Sequence, residues 1–255
     1  MKRIFKFILN TVPRPLLIRI SYVVRPIIAF VLKGEKYIDP IDGKGFRTFL
    51  PYGYGAQRSN VLSPSTLSLE RHRLLWLYLK IETDFFSAQS KVLHFAPEQC
   101  FLKRFRNMKN LDYTTTDLES PIADVKADIC DLPFEDNTYD VIFCNHVLEH
   151  IPDDKRAMQE LYRVMKRGGY GIFQIPQDLS REVTYENDDI TDKKKRAEIF
   201  GQYDHVRVYG RDYFDKLRAV GFKVKEVDFT NYFSEEAITQ FCLAKGEIIP
   251  VVYKR

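Results

Sequence analysis

Side chains able to do chemistry recur at the ends of successive apolar runs. His94-Phe95-Ala96-Pro97-Glu98 closes the first run, Asp117 the second, and Asp128 in "ADICDLPF" stands at the third. Asn145 and His146 close the fourth. In open α/β sheets such strand ends form the ligand crevice, and an acid at the end of the second strand can hold two ribose hydroxyls. A dinucleotide turn would need glycines for its backbone to approach a pyrophosphate, and "KVLHFAPE" has none. "NHVLEH" sets His146, Glu149 and His150 in H-x-x-E-H spacing, which some peptidases use for zinc. Histidine suits magnesium poorly, and the plainer reading is that Glu149 and His150 knit the helix start to its neighbouring strand. Further on, "GQYDHVRVY" gathers Tyr203 and His205 between aromatic residues. His205 can be a base for a reacting hydroxyl or amine, or it can simply order its loop.

The elements that must position these groups read as a strand–helix alternation. Strand-like segments fall at 91–96, 111–117, 140–144, 170–175, 222–229 and 247–253. A helix opens at Pro152-Asp153-Asp154, carries Met158, Leu161, Tyr162 and Met165 on one face, and closes at Gly168-Gly169. "LSLERHRLLWLYLK" from Leu67 is a further helix. Such alternation predicts a mostly parallel, doubly wound sheet, with the last two strands as an antiparallel pair at one edge. The polar insertion 177–209 leaves the sheet at the ligand edge, so it is expected to form the acceptor side, with "KKKR" at 193–196 as a solvated helix face.

Charge divides the chain. Residues 1–36 hold eight bases against Glu35, a net +7 within a total of +4, which leaves −3 for the remainder. Prolines at 13, 15 and 26 break this arm, and its longest apolar run, Ile27–Leu32, is far below the roughly 20 residues that span a bilayer. Residues 1–33 therefore read either as an in-plane anchor on an anionic membrane surface or as helices packed on the protein's own body. Four dispersed cysteines fit reduced thiols of a cytoplasmic protein, peripheral on the inner face of the membrane if the arm binds it.

"ADICDLPFEDNTYDVIFCNHVLEHIPDDKRAMQELYRVMKRGGYGIFQIP" resembles the class I S-adenosylmethionine-dependent methyltransferases (methyltransferase type 11-like), over about residues 68–255. The resemblance implies a Rossmann-like seven-stranded sheet with a reversed last strand and S-adenosyl-L-methionine as cofactor. Carried over, Asp117 with Leu118 holds the ribose, and Asp128 with the Ile129 amide takes the adenine. Asn145 and His146 line the methionine end, and residues His94, Phe95, Ala96, Pro97 and Glu98 wrap the amino-acid moiety. Where the family loop has an acid and glycines, this chain has His94 and Ala96. S-adenosylmethionine has no pyrophosphate, so alanine is tolerated, and Glu98 can meet the ligand's ammonium group.

"LHFAPE", "SLERHR" and "GQYDHVRVYG" mark a subgroup whose members often carry two C-P-x-C pairs upstream, resembling a zinc ribbon. Here they read "DPID" (39–42) and "SPST" (63–66), a poor set for soft metals. The organisation expected is a basic arm (1–36), a degenerate ribbon-like segment (37–66) and a methyltransferase domain (67–255), with no metal. The expected catalytic group is His205, Tyr203 and His150. The acceptor expected is a small molecule or a lipid or glycan, the sequence not separating a sugar, a lipid-linked glycan, a quinone-like phenol and a protein side chain, and no nucleic-acid partner is expected. A Rossmann oxidoreductase and a non-catalytic cofactor-binding scaffold are the rival readings.

Overall fold

The computed structural model describes residues 24–53 and 57–255. The first 23 residues of the basic arm lie outside them. The chain forms two compact units, Met1–Ile81 with Thr230–Glu247 and Glu82–Phe229 with Ile248–Arg255. No helix among the described residues is long and apolar enough to cross a membrane.

The first unit is built on two small antiparallel pairs. Strand β1 (Lys33–Asp39) pairs with β2 (Lys44–Phe46), and β3 (Leu50–Tyr52) with β4 (Arg58–Leu62). Tyr37, Phe46 and Phe49 form its aromatic core, with Ala29, Leu32 and Cys242 packed against them. Helix α1 (Glu70–Glu82) supplies Arg73, whose guanidinium is fully buried yet well satisfied. It donates to the carbonyls of Val61 (3.0 Å), Ser68 (2.8 Å), Phe241 (2.8 Å) and Cys242 (2.6 Å), and lies over the Phe49 ring. That single side chain explains why 67–81 and 230–247 belong with the N-terminal segment: the last arginine of "SLERHR" is its staple. The "DPID" and "SPST" turns also meet. Buried Asp39 accepts from Ile41 N (2.9 Å), Thr66 Oγ1 (2.5 Å) and Ser68 Oγ (3.2 Å), so hydrogen bonds saturate the carboxylate.

The second unit holds a seven-stranded sheet. In chain order its strands are β5 (Ser90–Phe95), β6 (Leu111–Asp117), β7 (Val125–Lys126), β8 (Tyr139–Cys144), β9 (Met165–Ile172), β12 (Lys223–Asp228) and β13 (Ile248–Tyr253). Their spatial order is β12-β13-β9-β8-β5-β6-β7. All neighbours are parallel except those of β13, which runs against both β9 and β12. The reversed strand therefore sits one place in from the edge. Buried apolar residues crowd the central strands on both faces, as expected of strands covered on both sides.

Helix α3 (Asp154–Val164) starts at Asp153, whose side chain accepts from Arg156 N (2.9 Å). It ends at Val164, before the glycines, because Met165 already begins β9. Glu160 on this helix accepts from Leu132 N (2.9 Å) and from Arg163, while Arg163 donates to the Leu132 and Phe134 carbonyls. The "DLPFED" and "ELYRVM" parts of the family-like string thus hold one another.

Candidate active site

Register places the cofactor-side residues together. Phe95 pairs with Thr116 on one side and with Cys144 on the other. The next residue of each strand, Ala96, Asp117 and Asn145, therefore stands at one edge, with neighbouring strands roughly 4.8 Å apart. Ala96 turns the chain with φ 45°, held by its N–H on the Thr116 carbonyl (2.9 Å), and the chain then enters helix α2 (Gln99–Arg106).

A buried relay fixes Glu98 behind this edge. Burial, then the nearby Glu98 charge, pushes the Tyr113 phenol far up, so its hydroxyl keeps its proton and donates to His94 Nδ1 (2.7 Å). The His94 Nε2–H then donates to Glu98 Oε2 (2.5 Å), and Asn145 Nδ2 donates to Glu98 Oε1 (3.2 Å). Asn145 Oδ1 accepts from Gln174 N (3.2 Å), and the His146 N–H bonds the Gln174 carbonyl (2.7 Å) with φ 54°. His94, expected to touch the ligand, is buried with both nitrogens engaged, so its part is to orient Glu98. Phe95 and Pro97 are buried beside it.

The two aspartates cap their own loops. Asp117 Oδ1 accepts from Glu119 N (2.9 Å) and Ser120 N (2.7 Å), and Asp128 Oδ1 from Cys130 N (2.8 Å). Leu118 is 63% exposed beside Asp117, while Ile129 is buried in the core. A nucleoside with an amino-acid tail fits this set: acceptors for ribose and adenine at one end, Glu98 and Asn145 at the other, and no close backbone approach required at Ala96.

The segment expected on the acceptor side meets the turn after Asn145. Leu148–His150 form a short 3-10 turn, and the insertion returns to it. Within the insertion β10 (Tyr185–Glu186) pairs antiparallel with β11 (Arg207–Val208), and α4 (Lys193–Ile199) buries none of its residues. Val206 N–H bonds the Glu149 carbonyl (2.9 Å), while buried Arg207 donates to the carbonyls of Leu148 (3.2 Å), Ile151 (2.5 Å) and Pro152 (2.8 Å). Tyr209 adds a bond to Asp154 (2.8 Å). Arg207 and Tyr209 are the clamps of "GQYDHVRVYG".

They bring His205 against His150, ring centroids 4.7 Å apart and nearly perpendicular. Glu149 completes the group: one ligand atom from each of Glu149, His150 and His205 lies within 4.8 Å of the others. His205 Nδ1 bonds the Phe200 carbonyl (3.0 Å), and burial pushes its imidazole down, which leaves it neutral near pH 7 with Nε2 as the lone-pair nitrogen. Tyr203 stands apart, 53% exposed under Lys193. Sequence reasoning did not single out Tyr113 or Gln174, because neither lies at a strand's last residue.

Residues 87–173 match the model described as a methyltransferase domain. This segment belongs to that family. Among curated proteins, the methyltransferase segment is similar to demethylmenaquinone methyltransferase of Staphylococcus carnosus, at 35% identity over 35% of this chain and 37% of that one. The 2-phytyl-1,4-naphtoquinone methyltransferase of Nostoc punctiforme is 30% identical over 40% of this chain and 50% of its own. A sterol 24-C-methyltransferase of Gibberella zeae is 27% identical over 42% and 28%. The chain thus spans half or less of each of these relatives. A solved S-adenosylmethionine-dependent methyltransferase from Mesorhizobium loti covers 70% of this chain and 96% of its own, with 13% identity and a TM-score of 0.48. The strand order with reversed β13 is that of the class I methyltransferase fold, and S-adenosylmethionine is the cofactor this family implies.

Proposed function

We propose that the chain transfers the methyl group of S-adenosylmethionine to a small-molecule or lipid-linked acceptor. The observation that carries this is the alignment of Ala96, Asp117 and Asn145 at one sheet edge, with His146 directly after Asn145 and Glu149 of the His205 cluster four residues after it. When bound, the cofactor supplies an electrophilic methyl on a sulfonium. Asp117 holds its ribose, Asp128 and the Ile129 amide its adenine, and Glu98 with Asn145 its amino-acid end. His146 borders the methionine end. The transfer is an in-line displacement, so orientation of the acceptor does much of the work. The insertion presents that acceptor, and the Glu149–His150–His205 cluster is where an acidic proton of the acceptor is handled. Methyl-labelled cofactor incubated with lysate fractions tests this. One fraction should gain label with the native chain and not with Asp117→Ala; label in no fraction would favour a non-catalytic scaffold.

The basic arm fits an anionic lipid surface. Residues 24–31 are helical, and Val24, Ile27, Phe30 and Val31 are exposed while Ala29 and Leu32 pack on the aromatic core. An apolar strip among Arg25, Lys33 and Lys36 suits the headgroup boundary on the cytoplasmic face. Vesicles with phosphatidylserine should sediment the protein at low salt and release it at high salt. Equal binding to neutral vesicles would contradict an electrostatic anchor.

A further inference from the structure

The Glu149–His150–His205 cluster contains a buried carboxyl group without hydrogen bonds. Glu149 is 1% exposed, and neither carboxylate oxygen has a hydrogen-bond partner. The nearest cation-capable group is His146 Nδ1, 3.3 Å from Oε1, and the His146 Nε2 is itself buried and unpartnered. An isolated buried carboxylate is costly, and such groups are paired or coordinate metals.

The neighbouring imidazoles are arranged as ligands are. His205 gives its Nδ1–H to the Phe200 carbonyl, which fixes the tautomer and leaves the Nε2 lone pair for a third party. His150 has its Nδ1 3.6 Å from Asp204 Oδ2. Metal-bound histidines characteristically give the other ring nitrogen to a backbone carbonyl or a carboxylate; His205 makes the first bond, and at His150 the Asp204 carboxylate stands just beyond hydrogen-bond distance. The donor set of two imidazoles and one carboxylate is that of catalytic zinc sites, which keep a position open for a non-protein ligand. With bonds of about 2.1 Å, a tetrahedral site needs donors roughly 3.4 Å apart. One ligand atom of each of the three residues already lies within 4.8 Å of the others.

We propose that Glu149, His150 and His205 form a binding site for one divalent cation of the zinc type. This departs from the sequence expectation of no metal, in which the "DPID" and "SPST" turns are a poor set for soft metals and Glu149 and His150 knit the helix start to its neighbouring strand. The site shares its residues with the acceptor side of the proposed transfer, but its occupancy is measured without cofactor or acceptor, so failure of one reading is distinguishable from failure of the other.

The test uses the full chain, stripped with a chelator and titrated with Co²⁺, then with competing Zn²⁺. One equivalent of Co²⁺ should give a saturable visible band that Zn²⁺ abolishes. Glu149→Gln and His205→Ala should lose the band while retaining the native circular dichroism and melting transition. His150→Ala, at a half-buried position, should lose it too and serves if either of the others fails to fold. Asp204→Asn should keep the band with affinity weakened about 10-fold, as for an outer-shell partner. Absence of a band in the native chain, or a band that survives in the folded ligand variants, would overturn the proposal and leave the three groups as a proton-sharing cluster.

Discussion

Two buried carboxylates, Asp39 in the first unit and Glu149 in the second, meet opposite surroundings. Asp39 is fully buried and accepts from one amide and two hydroxyls, whereas Glu149 is equally buried and accepts no hydrogen bond. Both stand where the sequence pattern raises a metal, in a ribbon-like segment and in an H-x-x-E-H turn. Only the hydrogen bonds separate them. A saturated carboxylate contributes structure and has nothing left to offer a cation, while an unsaturated one is arranged for a ligand.

The comparison can be broken by substitution. Asp39→Ala strands the Ile41 amide and the Thr66 and Ser68 hydroxyls, so it should lower stability by about 3 kcal/mol in denaturant unfolding. Glu149→Gln replaces a buried carboxyl group that accepts no hydrogen bond and should hold or raise the melting temperature. A similar loss in both variants would mean that Glu149 is a structural acid like Asp39.

Activity should show the reverse ranking. His205→Ala is expected to lower turnover roughly 10²-fold with cofactor affinity kept, because it removes an acceptor-side group. Tyr203→Phe should cost less, since that ring is exposed under Lys193 and outside the cluster. An inactive Tyr203→Phe with a fully active His205→Ala would move the acceptor away from the Glu149 side.

A third carboxylate sharpens the pH side of the contrast. Glu247, half-buried among Arg58, Glu70, Arg71 and Arg73, is pushed up from 4.5 to about 7, chiefly by burial. The folded form therefore holds this proton more tightly than the unfolded chain. Its contribution to stability is complete below about 4.5 and is lost as pH rises through about 7. Glu247→Gln should flatten that decline in urea unfolding between pH 5 and 8. An unchanged slope would exclude Glu247 as its source.

Much of the fold was legible because its signals are local. The six strands of the alternation came within a few residues of β5, β6, β8, β9, β12 and β13, and capping by Asp153 follows from "PDD". Two-residue β7 carries too little pattern to read, and β9 begins at Met165 because strand pairing with Tyr139 overrides the helical spacing. The alignment of Ala96, Asp117 and Asn145 was legible since these residues lie at strand ends. The Tyr113–His94–Glu98 relay was not, because it joins two strands through side chains whose sequence separation carries no period. Nor does spacing reveal that Arg207 draws the insertion onto Leu148–Pro152.

The central claim, an S-adenosylmethionine site at the ends of β5, β6 and β8, is tested most directly by calorimetric titration of the purified chain. S-adenosylmethionine and its demethylated product should each bind at one equivalent, and NAD should not. Asp117→Ala should lose on the order of 2–4 kcal/mol of binding in protein that remains folded. NAD binding in place of S-adenosylmethionine, or undiminished affinity in folded Asp117→Ala, would contradict the account.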